Sequence, residues 1–156
     1  MPVANIHVLA GHPRPVLKQL VREASATLAR TIASPIDRLQ VWITEIDPEL
    51  YAIAGEPADE VLAHTPRAQA EIPFIRLVLM EGRPRETLHQ LMTELSAVTA
   101  RILGGDPARV RVHIDFTHPD RWAIGGVPAS VARAGELAAR QGAGSAEGLS
   151  NKHSPS

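Results

Sequence analysis

The sequence predicts an α+β fold in which two tandem β-α-β units form a four-stranded mixed sheet with two helices on one face. The first observation is an internal repeat that aligns Pro2 with Pro73, an offset of 71 residues. The second is the order strand, helix, strand in each copy, which predicts a parallel crossover with its helix on one side of the sheet. The third is the length of 156 residues, which suits one domain or two small units sharing a core.

The two copies match without a gap over most of their length. The matches place a glycine and a proline at the first turn, an arginine before the second strand, and a small-residue hairpin at the end. Identical pairs include Gly11 and Gly82, Pro13 and Pro84, Arg38 and Arg109, Pro48 and Pro119, Gly55 and Gly126, and Pro57 and Pro128. Two copies indicate a pseudo-symmetric pair and not a solenoid, which stacks many shorter repeats.

In the first copy, an apolar stretch at Val3–Leu9 predicts a strand, and a glycine-proline turn ends it. A helix follows, because apolar residues recur three and four positions apart. These residues are Leu17, Leu20, Val21, Ala24 and Leu28. Alternating apolar and polar residues over 39–44 predict the second strand, and residues 47–56 suit a turn with a short hairpin.

The second copy repeats this order. It predicts a strand at Phe74–Met80, a helix ended by Gly104, a strand over 110–116 and a hairpin over 119–126. The apolar stripe of this helix consists of Leu88, Leu91, Met92, Leu95, Val98 and Ile102.

These elements divide the chain into two units and two connecting or terminal segments. We expect a terminal helix over 129–140, and we expect the Gly- and Ser-rich residues 141–156 to be disordered. The predicted segments are a first unit at 1–58, a linker with a short helical turn at 59–72, a second unit at 73–130, and the terminal helix and tail at 131–156.

The N-terminus carries the first chemical signal. A small residue after Met1 favours removal of the initiator methionine, which would leave Pro2 with a free secondary amine. No other proline can offer this group, because the nitrogen of every other proline is an amide. Burial and nearby cations lower the pKa of an amine towards neutral pH, where it can act as a general base. The sequence therefore raises the question of whether cations surround Pro2.

Composition excludes several other classes of function. A net charge of -1 argues against binding to a nucleic-acid backbone. The absence of cysteine excludes disulfides and thiolate metal sites, and the seven histidines show no metal-binding spacing. No apolar run approaches the ~20 residues of a membrane span, and no signal peptide is evident, so we expect a cytoplasmic protein.

A sheet with both helices on one side leaves its other face uncovered. An open apolar face is unstable in water. We therefore expect the chain to self-associate through this face of the sheet.

Several of these motifs resemble the tautomerase superfamily, typified by 4-oxalocrotonate tautomerase. Both copies resemble the family's short unit, and the chain as a whole is similar to fused members that carry two units in one polypeptide. The motifs that carry the resemblance are the stretch 2–9 after Met1, Glu81-Gly82-Arg83, Arg109-Val110-Arg111-Val112 and Trp122-Ala123-Ile124-Gly125-Gly126.

The resemblance implies a cofactor-independent isomerase that needs no metal. Its N-terminal proline would act as general base and acid on a small 2-oxo or enol carboxylic acid. By analogy with the family, we expect a homotrimer.

The resemblance also implies the residues of the substrate site. Pro2 would be catalytic, and Arg83, Arg111 and Trp122 would bind the substrate. The corresponding positions of the first copy carry His12, Gln40 and Tyr51 in that order. The first copy thus keeps the usable amine without the arginines, while the second keeps the arginines without the amine. We therefore expect one composite site, built from Pro2 of one copy and Arg83, with or without Arg111, of the other, within one chain or across subunits.

Three alternatives remain open from the sequence. A hydratase or dehalogenase of the same superfamily would carry an acid in the hairpin, where this chain has Ala123 and Ile124. A decarboxylase would carry an acid before the second strand, which Asp37 loosely resembles. A binding or assembly protein that has lost its site would explain the loss of arginines from the first copy.

Overall fold

A computed structural model describes residues 2–150 of the chain. Each copy contributes two long strands and one long helix, followed by a two-stranded ribbon; short helices follow the first ribbon, and a short helix and a long one follow the second. In chain order the elements are β1 (Val3–Leu9), α1 (Arg14–Thr31), β2 (Gln40–Ile46), β3 (Ala52–Ile53), β4 (Glu56–Pro57), α2 (Ala58–Leu62), α3 (Arg67–Ala70), β5 (Phe74–Met80), α4 (Arg85–Leu103), β6 (Arg111–Thr117), β7 (Ala123–Ile124), β8 (Val127–Pro128), α5 (Ala129–Ala132) and α6 (Ala134–Ser150).

The central sheet has the strand order β2-β1-β5-β6, which confirms the predicted four-stranded mixed sheet. Within each copy the two long strands are parallel, and their connection contains the long helix. The copies join where β1 pairs antiparallel with β5, and in that register Val3 lies opposite Val78 and His7 opposite Phe74. This pairing relates the two copies by an approximate two-fold axis.

Both long helices pack on the same face of the sheet, as predicted. Alternate residues of β1 and β5 are buried there, because successive side chains of a strand point to opposite faces. One continuous core joins them to the apolar stripes of α1 and α4. It includes Ile6, Val8, Leu20, Leu28, Ile75, Leu77, Leu79, Leu91 and Leu95.

The face of the sheet opposite the helices is mixed in character, which corrects the expected apolar face. Arg76 donates from Nε to Asp115 Oδ2 at 2.6 Å across neighbouring strands. Two aromatic side chains stand in the same rows, Trp42 and Phe74, with 43% and 37% of their surface exposed. Charged and aromatic groups therefore alternate on this face.

The C-terminal segment also differs from the prediction. The expected helix over 129–140 is divided into α5 and α6 at Arg133. Helix α6 then continues through Ser150, so the expected disorder is wrong for residues 141–150; residues 151–156 lie outside the described part of the chain. Alanines favour this helix, and an ion pair between Arg38 and Glu136 at 2.7 Å ties its first turn to the first copy.

The ends of the two long helices show how unequal the copies are. After α4, Gly104 adopts a left-handed conformation with φ of 79°, which costs glycine little. The residue equivalent to Gly104 in the first copy is Ala33, which follows α1 with φ of 50°. A left-handed conformation costs a residue with a Cβ about 1–2 kcal/mol. The first copy thus carries backbone strain that the second avoids.

We predict that Ala33→Gly increases the free energy of unfolding, by up to about 1 kcal/mol after the entropic cost of glycine. The reciprocal change Gly104→Ala should lower it by about 1 kcal/mol. Both positions are exposed, so neither change alters core packing. Urea unfolding at a fixed protein concentration measures the effect of both substitutions. A lower free energy of unfolding for Ala33→Gly would contradict the inference that Ala33 is strained.

Candidate functional site

Pro2 is fully buried immediately before the start of β1. Its carbonyl oxygen accepts a hydrogen bond from the Gln40 backbone N–H at 3.2 Å, which fixes this end of the chain to β2. Since Val3 pairs with Val78, Pro2 lies beside the last residues of β5 in the other copy. The first turn of that copy, which carries Arg83, follows directly.

A cavity lies beside Pro2, and three parts of the chain line it. The first copy supplies Pro2, the end of α1 and the turn before β2, while the second copy supplies its first turn. Helix α6 forms the remaining wall. The lining residues are Pro2, Ser34, Arg38, Met80, Arg83, Arg133, Glu136, Leu137 and Arg140.

The charge of this lining is strongly positive, with four guanidinium groups against one carboxylate. The carboxylate is that of Glu136, which accepts a hydrogen bond from Arg38 at 2.7 Å and one from Arg133 at 3.4 Å. The hydrogen bond from Arg38 is the main reason that the pKa of Glu136 lies below its ordinary value. The single acid of the cavity is therefore already engaged by two of the four arginines.

The other two arginines form no hydrogen bond or close ion pair with an acidic side chain among the described residues, although the charge of Arg140 also contributes to lowering the pKa of Glu136. Arg83 donates from Nη1 to the Met80 carbonyl oxygen at 3.2 Å. Burial, and secondarily the positive charge of Arg140, lower the pKa of the Arg83 guanidinium to about 10. Arg140 Nη1 is buried and has no hydrogen-bond acceptor in the described part of the chain. At neutral pH, two positive charges thus face each other in a partly buried site.

The structure brings together two of the four residues predicted from the sequence. Pro2 of the first copy and Arg83 of the second line the same cavity. Arg111 does not line it; this side chain donates from Nη1 to the Ala108 carbonyl at 2.9 Å, at the start of β6. Trp122 is also absent from the lining, and its carbonyl accepts a hydrogen bond from Ala129 N–H.

Sequence reasoning missed three arginines of this cavity. Arg38 was visible as an identity between the copies, because it aligns with Arg109, but its position before a strand gave no reason to place it near Pro2. Arg133 and Arg140 belong to the terminal segment, whose role the sequence left undecided. A basic spacing of seven residues, which lies on one side of a helix, was the signal available for these two.

The equivalent place in the second copy, around Pro73, is a smaller cavity that the linker helps to line. The linker carboxylate of Glu71 is buried there, and its Oε2 accepts a hydrogen bond from Leu9 N–H at 2.7 Å. Its Oε1 lies 2.6 Å from His12 Nε2. Arg109 donates to the Glu71 and Ala70 carbonyls at 3.1 and 2.8 Å. This second place has a neutral amide nitrogen at Pro73 and already contains a protein carboxylate, that of Glu71.

Two further observations bear on the kind of site. Across residues 2–150, no helix is both long and apolar enough to cross a membrane. The same part of the chain holds no cluster of three or more His, Cys, Asp or Glu side chains arranged for a metal ion.

Comparison with known proteins shows which family this chain resembles. A family model described as "Tautomerase enzyme" matches residues 73–132. The 2-hydroxymuconate tautomerase of Pseudomonas fluorescens is 36% identical over 61 residues, which cover 39% of this chain and 97% of that enzyme. The 2-hydroxymuconate tautomerase of Comamonas testosteroni is 30% identical over the same coverage.

The chain belongs to the tautomerase superfamily. Solved structures extend the likeness of this tautomerase to both copies. The native fused 4-OT superposes with a TM-score of 0.74 at 24% identity, covering 83% of the chain and 97% of that structure. A fused 4-OT described as an asymmetric trimer gives a TM-score of 0.72 at 22% identity, with the same coverage. These neighbours share the fused two-copy fold, and the family resemblance found in the sequence is confirmed.

We predict that Arg83→Gln raises the free energy of unfolding of this tautomerase at pH 8 in the absence of a ligand. The folded state holds the Arg83 pKa near 10, while the unfolded chain restores its ordinary, higher value. The charged form is thus disfavoured by folding below pH 10, and this cost disappears as the pH rises above 10. The difference in free energy of unfolding between Arg83→Gln and the wild type should therefore decrease as the pH rises above 10.

Urea unfolding at pH 8, 9.5 and 10.5 measures this effect. Arg101→Gln is the matched control, because Arg101 pairs with Glu23 on the outer helical surface at 2.6 Å. The control should change stability little, because solvent screens an exposed ion pair. A destabilised Arg83→Gln at pH 8 would show that the free protein already stabilises this charge.

Proposed function

We propose that the chain is a cofactor-independent tautomerase that uses the Pro2 amine as general base and acid on a small 2-oxo or enol carboxylic acid. The observation that carries the proposal is the burial of Pro2 in a cavity whose lining holds four arginines and one carboxylate. Removal of Met1 would expose the secondary amine to this cavity. The relatives named 2-hydroxymuconate tautomerase support an enol carboxylate as substrate.

The arginines would have two effects on the reaction. Their positive charge disfavours protonated Pro2, so that its pKa falls towards neutral pH and a larger fraction of the amine can accept a proton. A guanidinium can also hold a carboxylate through two parallel hydrogen bonds and stabilise the enolate oxygen formed during the reaction. Arg83 is suited to this role, because no acidic side chain among the described residues pairs with it.

The proposed proton transfer balances within one substrate molecule. Pro2 nitrogen accepts the proton of the 2-hydroxyl group as the O–H bond breaks and the 2-oxo group forms. The electron pair moves along the carbon–carbon double bond to a carbon atom, which receives the proton back from the prolinium. The product is an isomer of the substrate, and no oxidant, reductant or water is consumed.

The lining also weighs against the related reactions considered from the sequence. Addition of water or loss of carbon dioxide calls for an acidic side chain that positions water or substrate. Glu136 is the acid of the lining, and Arg38 and Arg133 already bind it. Asp37, which loosely resembled a decarboxylase acid, is exposed and outside the lining. Simple proton transfer is the reaction that these groups support best.

We predict that Pro2→Ala lowers kcat/KM for ketonisation of 2-hydroxymuconate by at least about tenfold, since general acid–base groups contribute about 10²–10⁴-fold. Pro73→Ala is the matched control, because Pro73 is the equivalent residue and its nitrogen is a peptide amide. That variant should keep its rate. Absorbance kinetics measure the rates, and intact mass measures removal of Met1. Equal rates in Pro2→Ala and the wild type would remove Pro2 from the mechanism.

We also propose that the chain forms a homotrimer through the open sheet face. Trp42 and Phe74 expose aromatic surface there between charged side chains, and several fused 4-OT structures are described as trimers. Sedimentation equilibrium at micromolar concentration should give the mass of three chains. The mass of a single chain would contradict this assembly.

A further inference from the structure

Each copy is followed by a helical segment that packs over its own first turn. Helix α3 follows the first copy, and a Cβ atom added to Gly11 would clash with Arg67 Nη2. Helix α6 follows the second copy, and a Cβ atom added to Gly82 would lie 3.8 Å from Arg140 Cδ. Both segments therefore bring an arginine to the glycine turn that borders the other copy's proline. The matching family model ends at Ala132, before α6 begins.

Beside Pro73, groups of the chain itself form the hydrogen bonds of Arg67 and of the first turn. Arg67 donates to the Leu9 carbonyl at 3.2 Å and to the Ala10 carbonyl at 2.9 Å. The buried Glu71 carboxylate lies 3.6 Å from Arg67 and accepts the Leu9 N–H. A carboxylate is thus the group that completes this arrangement of turn, arginine and proline.

At the Pro2 place the same arrangement lacks its carboxylate. Among the described residues that line this cavity, Glu136 is the one acid, so no second carboxylate takes the role that Glu71 has beside Pro73. Arg83 makes its described hydrogen bond to a backbone carbonyl, and Arg140 Nη1 is buried with no acceptor in the described residues. Glu136 is held by Arg38 and Arg133. Arg83 and Arg140 therefore face the cavity without a hydrogen-bonded or closely paired carboxylate among the described residues.

We propose that Arg140 of α6 binds a carboxylate group of the substrate together with Arg83, which makes the C-terminal helix a substrate-binding element. The substrate's carboxylate would take the place that Glu71 occupies in the equivalent arrangement. One negative charge between the two guanidinium groups would remove their mutual repulsion and give the buried Arg140 Nη1 its missing acceptor. The identity of the substrate in this inference rests on the proposed function. The binding test does not depend on that function, because it requires no catalysis.

The first experiment measures binding without catalysis. The probe is cis,cis-muconate, a dicarboxylate that has no 2-hydroxyl group and so cannot undergo the reaction, and isothermal titration calorimetry at pH 7.5 gives its Kd. Arg140→Gln should weaken binding by about tenfold or more, because charge-assisted hydrogen bonds are lost. Arg140→Lys keeps the positive charge but lacks the planar guanidinium group. Its Kd should lie between the Kd values of the wild type and Arg140→Gln.

Arg101→Gln is the control, because it removes one arginine from the outer helical surface and not from the cavity. Its Kd should stay within about twofold of the wild type. Far-UV circular dichroism and thermal unfolding confirm that each variant keeps its helices. A Kd for Arg140→Gln equal to that of the wild type would overturn the proposal, as would equal weakening by Arg101→Gln.

Kinetics separate this inference from the proposed function. With 2-hydroxymuconate, Arg140→Gln should raise KM about tenfold while kcat changes by less than about threefold. Pro2→Ala should lower kcat and still bind muconate like the wild type. If Pro2→Ala keeps its full rate, the catalytic proposal fails, and the muconate titrations still decide whether Arg140 binds a carboxylate. If Pro2→Ala loses its rate and Arg140→Gln keeps its KM, the catalytic proposal stands and α6 has no part in binding.

Discussion

The antiparallel pairing of β1 with β5 is the constraint on which the site depends. Each copy has its proline at the start of its first strand and its glycine turn at the end of that strand. When the two first strands pair antiparallel, with Val3 opposite Val78, the proline of one copy comes beside the turn of the other. A parallel pairing would put both prolines at one end and both turns at the other. The composite character of the cavity is thus a consequence of strand direction.

The pseudo-symmetry creates two equivalent places that differ in charge and occupancy. Around Pro73, the buried Glu71 carboxylate meets Leu9 N–H, His12 and Arg67, and the protein satisfies its own polar groups. Around Pro2, Arg83 and Arg140 lack such an acid among the described residues. A filled arrangement stabilises the fold, whereas an incomplete one leaves charge that an anionic ligand can neutralise. This difference is the physical basis for expecting one site per chain.

Leaving two guanidinium groups unpaired and partly buried costs stability, and the lowered pKa of Arg83 expresses that cost. The surrounding structure is able to hold them, because the core beneath the sheet is continuous and the long helices pack on it from one side. Helix α6 contributes both a negative and a positive charge to the cavity. Its Glu136 accepts hydrogen bonds from Arg38 and Arg133, while its Arg140 adds to the positive charge beside Arg83.

The sequence by itself determined the repeat, the order of the strands and helices and the sheet that they form. It could do so because hydrophobic periodicity and turn residues are local signals, each repeated in both copies. It also singled out Pro2 and Arg83, through one terminal amine and one turn motif. Only the tertiary structure decided that these two share a cavity, that Arg111 and Trp122 do not line it, and that Arg38 and Arg140 do. Those outcomes depend on the direction of the β1–β5 pairing and on where the terminal helix packs, and both are contacts between residues distant in the chain, which no local pattern records.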